Sequence, residues 1–197
     1  MRSGIIAFAV IASIATAGPA AAQFSDSYNF IKAVRDKDVQ KAREILNKPG
    51  TTIVNAREQS TGDAPIHIVT RQRDLAWLGF LLQANADPNI RDRDGNSPLL
   101  LAATARFAEG VRVLLLVHAN VDQRNNSGET PLIKAVQAND LDDTKLLLDA
   151  GANPDLTDNT AGFSARQYAA QGAHQQMIKL LAETKPRAAA PMQGPPR

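Results

Sequence analysis

Cysteine is absent from the 197-residue chain. No disulfide framework, thiolate metal site, cysteine nucleophile or lipidated cysteine can therefore form. Histidine is scarce: His67, His118 and His174 are scattered along the chain and form neither a metal set nor a catalytic one. No H-E-x-x-H, G-x-S-x-G or phosphate-loop spacing occurs, so no cofactor, no metal and no enzymatic activity are expected. No block of Lys or Arg stands out, and 22 basic residues face 20 acidic ones, which argues against nucleic acid as a partner. Long apolar runs are missing beyond the N-terminus, which excludes a polytopic membrane protein.

What is present is apolar: 44% of the residues are hydrophobic and 21% charged, enough to build one compact unit rather than a disordered chain. At the N-terminus, Arg2 precedes an unbroken apolar or small run from Ile5 to Ala17, then Gly18 and Pro19, then Ala20-Ala21-Ala22. That order reads as a leader peptide over 1–22, with cleavage leaving Gln23 first. The run falls short of the ~20 residues a spanning helix needs, so no stable membrane insertion is expected after cleavage. The expected destination is the periplasm, with release from the cell as the alternative.

A period of 33 residues organises the remainder. Gly62, Gly95, Gly128 and Gly162 recur at that step, the last one residue late. Pro65, Pro98 and Pro131 follow at a fixed offset, as do Leu81-Leu82, Leu114-Leu115 and Leu147-Leu148. Each unit then closes on Asn85 to Asn89, His118 to Asp122 or Gly151 to Asp155. Glycine suits a turn with positive φ, Ser97 or Thr130 can cap a helix, and proline sits well at the first helical position. The paired leucines mark a second helix, which stops at Asn85, His118 or Gly151. Such a helix pair cannot bury its own apolar face, so neighbours must stack, and Leu115 is expected to seal the middle of that stack.

Gly128-Glu129-Thr130-Pro131-Leu132-Ile133-Lys134-Ala135, closed by Leu147-Leu148 and Gly151-Ala152-Asn153, resembles the G-x-T-P-L-H-x-A box of ankyrin repeats. The resemblance implies an all-α ankyrin-repeat solenoid of stacked helix-turn-helix units with projecting turns. Its expected divisions are a degenerate N-terminal repeat or cap over 23–56, repeats over 57–90, 91–123, 124–156 and 157–184, and a disordered proline-rich tail over 185–197. Ala64 lacks the capping hydroxyl, and Ala165 replaces the box proline in the last unit. His67 occupies the box histidine and is expected to bond turn backbone. Trp77 is expected in the core, and Arg91 to Gly95 as a solvated, locally paired turn.

Two residues past each closing Asn or Asp stand Arg57, Arg91 and Arg124, with Thr157 fourth. They are expected to line one edge of the turns, either free for a partner or paired with local carboxylates. Turn tips lie away from the core, so their replacement is expected to leave the thermal midpoint nearly unchanged. The resemblance further implies a concave partner surface, and the matching positions are Ser60, Asp63, Arg71, Gln72, Arg93, Asn96, Thr104, Asn126, Glu129, Gln137, Phe163 and Gln171. Phe163 is the aromatic anchor candidate. The expected function is that of an exported, monomeric, non-enzymatic module that binds a protein. The alternatives are a secreted effector acting on host proteins and a small-ligand binder or enzyme using the polar concave face.

Overall fold

The structure, a computed structural model, describes residues 19–48 and 52–184. The expected leader up to Gly18, the loop at Pro49-Gly50 and the tail over 185–197 lie outside the described residues. Among the described residues ten helices follow in order: α1 (Pro19–Arg35), α2 (Val39–Leu46), α3 (Pro65–Arg71), α4 (Leu75–Gln83), α5 (Pro98–Thr104), α6 (Ala108–Leu116), α7 (Pro131–Gln137), α8 (Leu141–Asp149), α9 (Ala165–Gln171) and α10 (Gln175–Glu183). A single 3-10 turn, Ile53–Asn55, separates α2 from the first projecting turn. Odd-numbered helices stack on one another as an inner row, and α4, α6, α8 and α10 stack as an outer row. This is an all-α repeat solenoid, and no helix among the described residues is long and apolar enough to cross a membrane.

Local chemistry explains the boundaries. Pro65, Pro98 and Pro131 each open an inner helix, where a missing N–H goes unnoticed. The Ser97 and Thr130 hydroxyls accept from the Leu100 and Ile133 amides at 3.2 Å, and Ser164 forms a reciprocal cap with Gln167. Ala64 has no hydroxyl, and the His67 ring works in reverse: its Nδ1 accepts the Ala64 N–H at 2.9 Å, while Nε2 donates to the Ile90 carbonyl. Burial lowers the His67 pKa, in keeping with the neutral ring those two bonds require. Asn85, His118 and Gly151 all take positive φ just past the outer helices, where the chain must reverse.

Leu81, Leu114 and Leu147 are fully buried, and Trp77 lies in the same core. Leu115 is only half-buried, which corrects the expectation that it seals the stack. The helix presents Leu114 to the core, and Leu115, one residue on, is rotated about 100° away. The turn at Arg91 to Gly95 also differs from expectation. Asp92 is 7% exposed and ion-pairs with Arg71, besides accepting from the Asn96 backbone and side chain beside its own turn.

The third residue of each outer helix forms a buried column: Trp77, Gly110, Asp143 and Met177. Asp143 is 0% exposed, and neither of its carboxylate oxygens has a hydrogen-bond partner among the described residues. Burial pushes its pKa up to about 7, Asp140, Asp142 and Glu109 add to the rise, and Arg112 opposes it. A carboxyl that titrates near 3.9 when unfolded and near 7 when folded contributes stability present below about pH 4 and lost as pH rises to 7. Asp143→Asn and Asp143→Leu should abolish that component, whose slope is at most about 1.4 kcal/mol per pH unit. Urea titrations at pH 5 and pH 8 check it, because the wild-type midpoint should fall between the two relative to both variants. Parallel behaviour of all three proteins would place the proton elsewhere.

Candidate partner-binding face

The projecting turns are joined to one another by the arginine column. Arg57 Nη1 donates to the carbonyl of Gly62 in its own turn and to that of Arg91 in the next. Arg91 Nε reaches the Gly95 carbonyl at 3.1 Å, and its Nη2 reaches Asn126 Oδ1 at 3.2 Å. Arg124 repeats the arrangement with Gly128, Thr157 and Asn159. The acceptors are carbonyl and amide oxygens, not the neighbouring carboxylates that the sequence suggested. Each arginine therefore holds its own turn and the following one together, which contradicts the expectation that the column is dispensable for stability.

Other bonds run in parallel. The backbone N–H groups of Asn126 and Asn159 donate to the carbonyls of Asp94 and Ser127 in the preceding turns, at 2.9 and 2.8 Å. The closing residues Asn55, Asn89 and Asp122 accept, through Oδ1, the backbone amides of Asp87, Asn120 and Asn153 one repeat further on. Stacking leaves no room at two of the turn glycines. A Cβ on Gly95 would lie 2.4 Å from the Arg91 guanidinium, and one on Gly128 would lie 2.6 Å from Asn159. Gly162 ends the series and has nothing within 4 Å, although its φ is equally positive.

The remaining candidate residues divide into bridges and open positions. Arg71 forks between Asp63 and Asp92, both at 2.6 Å, and so links the first two repeats. Burial works to raise the Asp92 pKa, yet hydrogen bonds from the Asn96 side chain and backbone, with the Arg71 charge, hold it below the ordinary carboxylate value. Asn96 also accepts from Asn125, and Glu129 is held by Asn125 and Lys134. Arg93 donates to the Gln59 carbonyl at 2.7 Å. Thr104 is exposed with its hydroxyl on the Leu100 carbonyl, while Gln72, Gln137, Ser60 and Gln171 are exposed. Phe163 is half-buried, edge-on to Tyr168 at 5.6 Å, and Tyr168 in turn bonds Asp158.

One feature of this face escaped the sequence reading. A groove of about 690 Å³ runs between α1 and the start of the first turn, with Tyr28, Ile31 and Ala56 among its lining residues. Tyr28 is 67% exposed. The first unit lacks the turn glycine, so no phase was available to place its inner helix.

Stacked helix pairs with mutually pinned turns define a rigid repeat scaffold, the class of protein that presents a preformed elongated surface. Residues 66–158 match the family model described as ankyrin repeats in three copies, and the chain is an ankyrin-repeat protein. Ankyrin repeats make it a protein–protein interaction module. It is 33% identical over 84 residues to the 2-5A-dependent ribonuclease of Homo sapiens, a match covering 43% of this chain and 11% of that protein. The Mus musculus protein of the same name is 30% identical over 87 residues, covering 44% and 12%. Oxysterol-binding protein homolog 1 of Saccharomyces cerevisiae is 32% identical over 75 residues, covering 36% and 6%. The matched stretch is thus about a tenth of the length of these relatives or less.

Two stability measurements follow from the pinned turns. Replacing Arg57, Arg91 and Arg124 together by Ala should lower the thermal midpoint by roughly 2–8 °C, because several turn-to-turn bonds are lost at once. An unchanged midpoint in calorimetry would show that those bonds contribute nothing. Gly162→Ala should cost about 1–2 kcal/mol for its left-handed backbone alone. Gly128→Ala should cost at least about 1 kcal/mol more, because Asn159 and Arg124 must also move. Equal urea midpoints for the two glycine variants would refute the close turn contact.

Proposed function

We propose that this protein is an exported binding module that holds a partner protein along its turn edge and inner helices. The observation that carries this reading is that the guanidiniums of Arg57, Arg91, Arg93 and Arg124 are fixed in place by neutral acceptors. Their positive charge is thus displayed without an ion-pair partner on a surface that is already ordered. Little conformational entropy remains to be lost on binding, which favours affinity in such scaffolds. The exposed Gln72, Thr104 and Gln137 continue the surface along the inner helices, and the groove beside Tyr28 extends it at the N-terminal end.

Export is supported by the apolar run that ends in Ala20-Ala21-Ala22. The periplasm is the proposed destination, and the mature protein starts at Gln23 and acts as a monomer. Helix α1 begins at Pro19, so that cleavage falls within its first turn. The likeness to the ribonuclease and oxysterol-binding relatives is confined to a short repeat segment.

Photo-crosslinkers placed singly at Gln72, Gln137 and Phe163, with controls at Arg112 and Lys145 on the outer helices, test both parts in the native cells. The inner positions should capture one common protein, and the outer positions should not. Intact mass of the uncrosslinked exported fraction should begin at Gln23. Adducts confined to the outer helices would reverse the binding face, and a mass retaining residues 1–22 would defeat the leader assignment.

A further inference from the structure

The arginine column has a spacing as well as a charge. Arg57, Arg91 and Arg124 stand one repeat apart, and packed helices in neighbouring repeats lie roughly 8–10 Å apart. Hydrogen bonds to the turns occupy Nε and Nη2 of Arg91 and Arg124, whereas Nη1 of each makes no hydrogen bond among the described residues. All three side chains are exposed. Each thus retains donors facing solvent on a guanidinium whose orientation is already set.

The carboxylates nearby cancel this charge only in part. Glu58 is paired with Arg35, Asp92 with Arg71, and Glu129 with Lys134. Asp158 accepts from the Tyr168 hydroxyl and from the amides of Thr160, Ala161 and Gly162. Arg71 is shared by Asp63 and Asp92, so one of those two charges, that of Asp158 and that of the exposed Asp94 stand against the four guanidiniums of Arg57, Arg91, Arg93 and Arg124. The edge is therefore net positive at a fixed repeat.

Polypeptide conformations differ in how they match that repeat. A β-strand returns a side chain to one face every second residue, about 6.6 Å or 13 Å along the axis, which misses the step. A polyproline II segment has three residues per turn and a rise of about 3.1 Å, so every third side chain returns to the same side after about 9.3 Å. An α-helix comes close only at every seventh residue, about 10.5 Å, and needs about fifteen ordered residues to meet three arginines. The polyproline II form meets them with seven residues and is already extended before binding.

We propose that the turn edge takes an acidic, extended segment of a partner protein, in the polyproline II form, with a carboxylate at every third position facing Arg57, Arg91 and Arg124 in succession. This rests on the partner-binding reading above and adds the chemistry and period of the segment. Each carboxylate meets the free edge of a pre-set guanidinium, a charge-assisted contact whose geometry is fixed in advance. The attraction is also long-ranged, so association should be fast at low salt and slow as salt rises.

Two synthetic 12-residue peptides of identical composition test it against the full mature chain: four repeats of Glu-Pro-Pro, and an isomer with its four glutamates adjacent. Fluorescence anisotropy at 20 mM and 300 mM salt is expected to show at least tenfold tighter binding of the periodic peptide at low salt, as an order-of-magnitude expectation for losing contacts in register. That binding should weaken steeply at high salt. Arg124→Gln should weaken it severalfold, whereas Arg112→Gln on the outer face should not, with circular dichroism confirming that both variants are folded. A helical peptide with Glu at every seventh position is the competing arm. Equal binding of the two isomers, or tighter binding of the helical peptide, would overturn the proposed conformation. Failure of all three peptides, with the crosslinked partner still mapping to the inner face, would overturn the acidic segment and leave the partner-binding reading standing. Loss of those crosslinks would remove the reading itself.

Discussion

The structure depends on how one projecting turn is fastened to the next. An inner helix of seven residues and an outer helix of nine are too short to hold themselves together in water. Apolar stacking of Leu81, Leu114 and Leu147 supplies the driving force but is not directional, and stacked pairs could slide or twist. Hydrogen bonds from Arg57, Arg91 and Arg124 to carbonyls one repeat away fix the register that the core leaves loose. The Asn55, Asn89 and Asp122 side chains do the same on the opposite side of the turn. Burial thus determines that the units associate, and these polar bonds determine how.

The ends show what happens when the next unit is missing. Asp155 occupies the place of Asn89 and Asp122 but accepts no amide of a following unit among the described residues, and it receives Arg166 Nε at 2.9 Å instead. The same arginine donates to the carbonyls of Leu181 and Thr184 at the end of α10, where helix carbonyls run short of intrahelical donors. Gly162 keeps the positive φ of its counterparts, although nothing presses on it. At the other end, α1 runs for 17 residues where the other inner helices have seven, and covers the face of α3 that a further repeat would otherwise cover.

Much of this was legible because it is local. Glycine before a capping Ser or Thr, proline at the first helical position, and Asn85, His118 and Gly151 at helix ends each express a backbone requirement within a few residues. The arginine column was legible as a position and not as a role. Its acceptors include main-chain carbonyls in the same turn and in the next one, beside the Asn126 and Asn159 side chains, and a carbonyl leaves no mark in a sequence. Asp143 was readable by the same period as Trp77, Gly110 and Met177, since a carboxyl in an otherwise buried column is a conflict visible in the letters alone. The groove beside Tyr28 could not be placed, since the first unit lacks the turn motif that sets the phase.

Using one set of arginines both to hold the scaffold and to display charge couples stability to recognition. Removing a guanidinium loosens two turns and deletes a contact together, so a loss of binding in such a variant does not by itself identify a binding residue. The two roles respond differently to ionic strength. A bond from a guanidinium to a neutral carbonyl 2.7–3.3 Å away is a short-range contact, and mobile ions act weakly at that distance. Attraction between the same guanidinium and a partner's carboxylate acts over a Debye length and is screened by salt. Salt therefore separates what mutation cannot: the scaffold stays pinned while the field in front of it fades. A surface built this way keeps its shape across conditions in which its attraction for a charged partner varies widely.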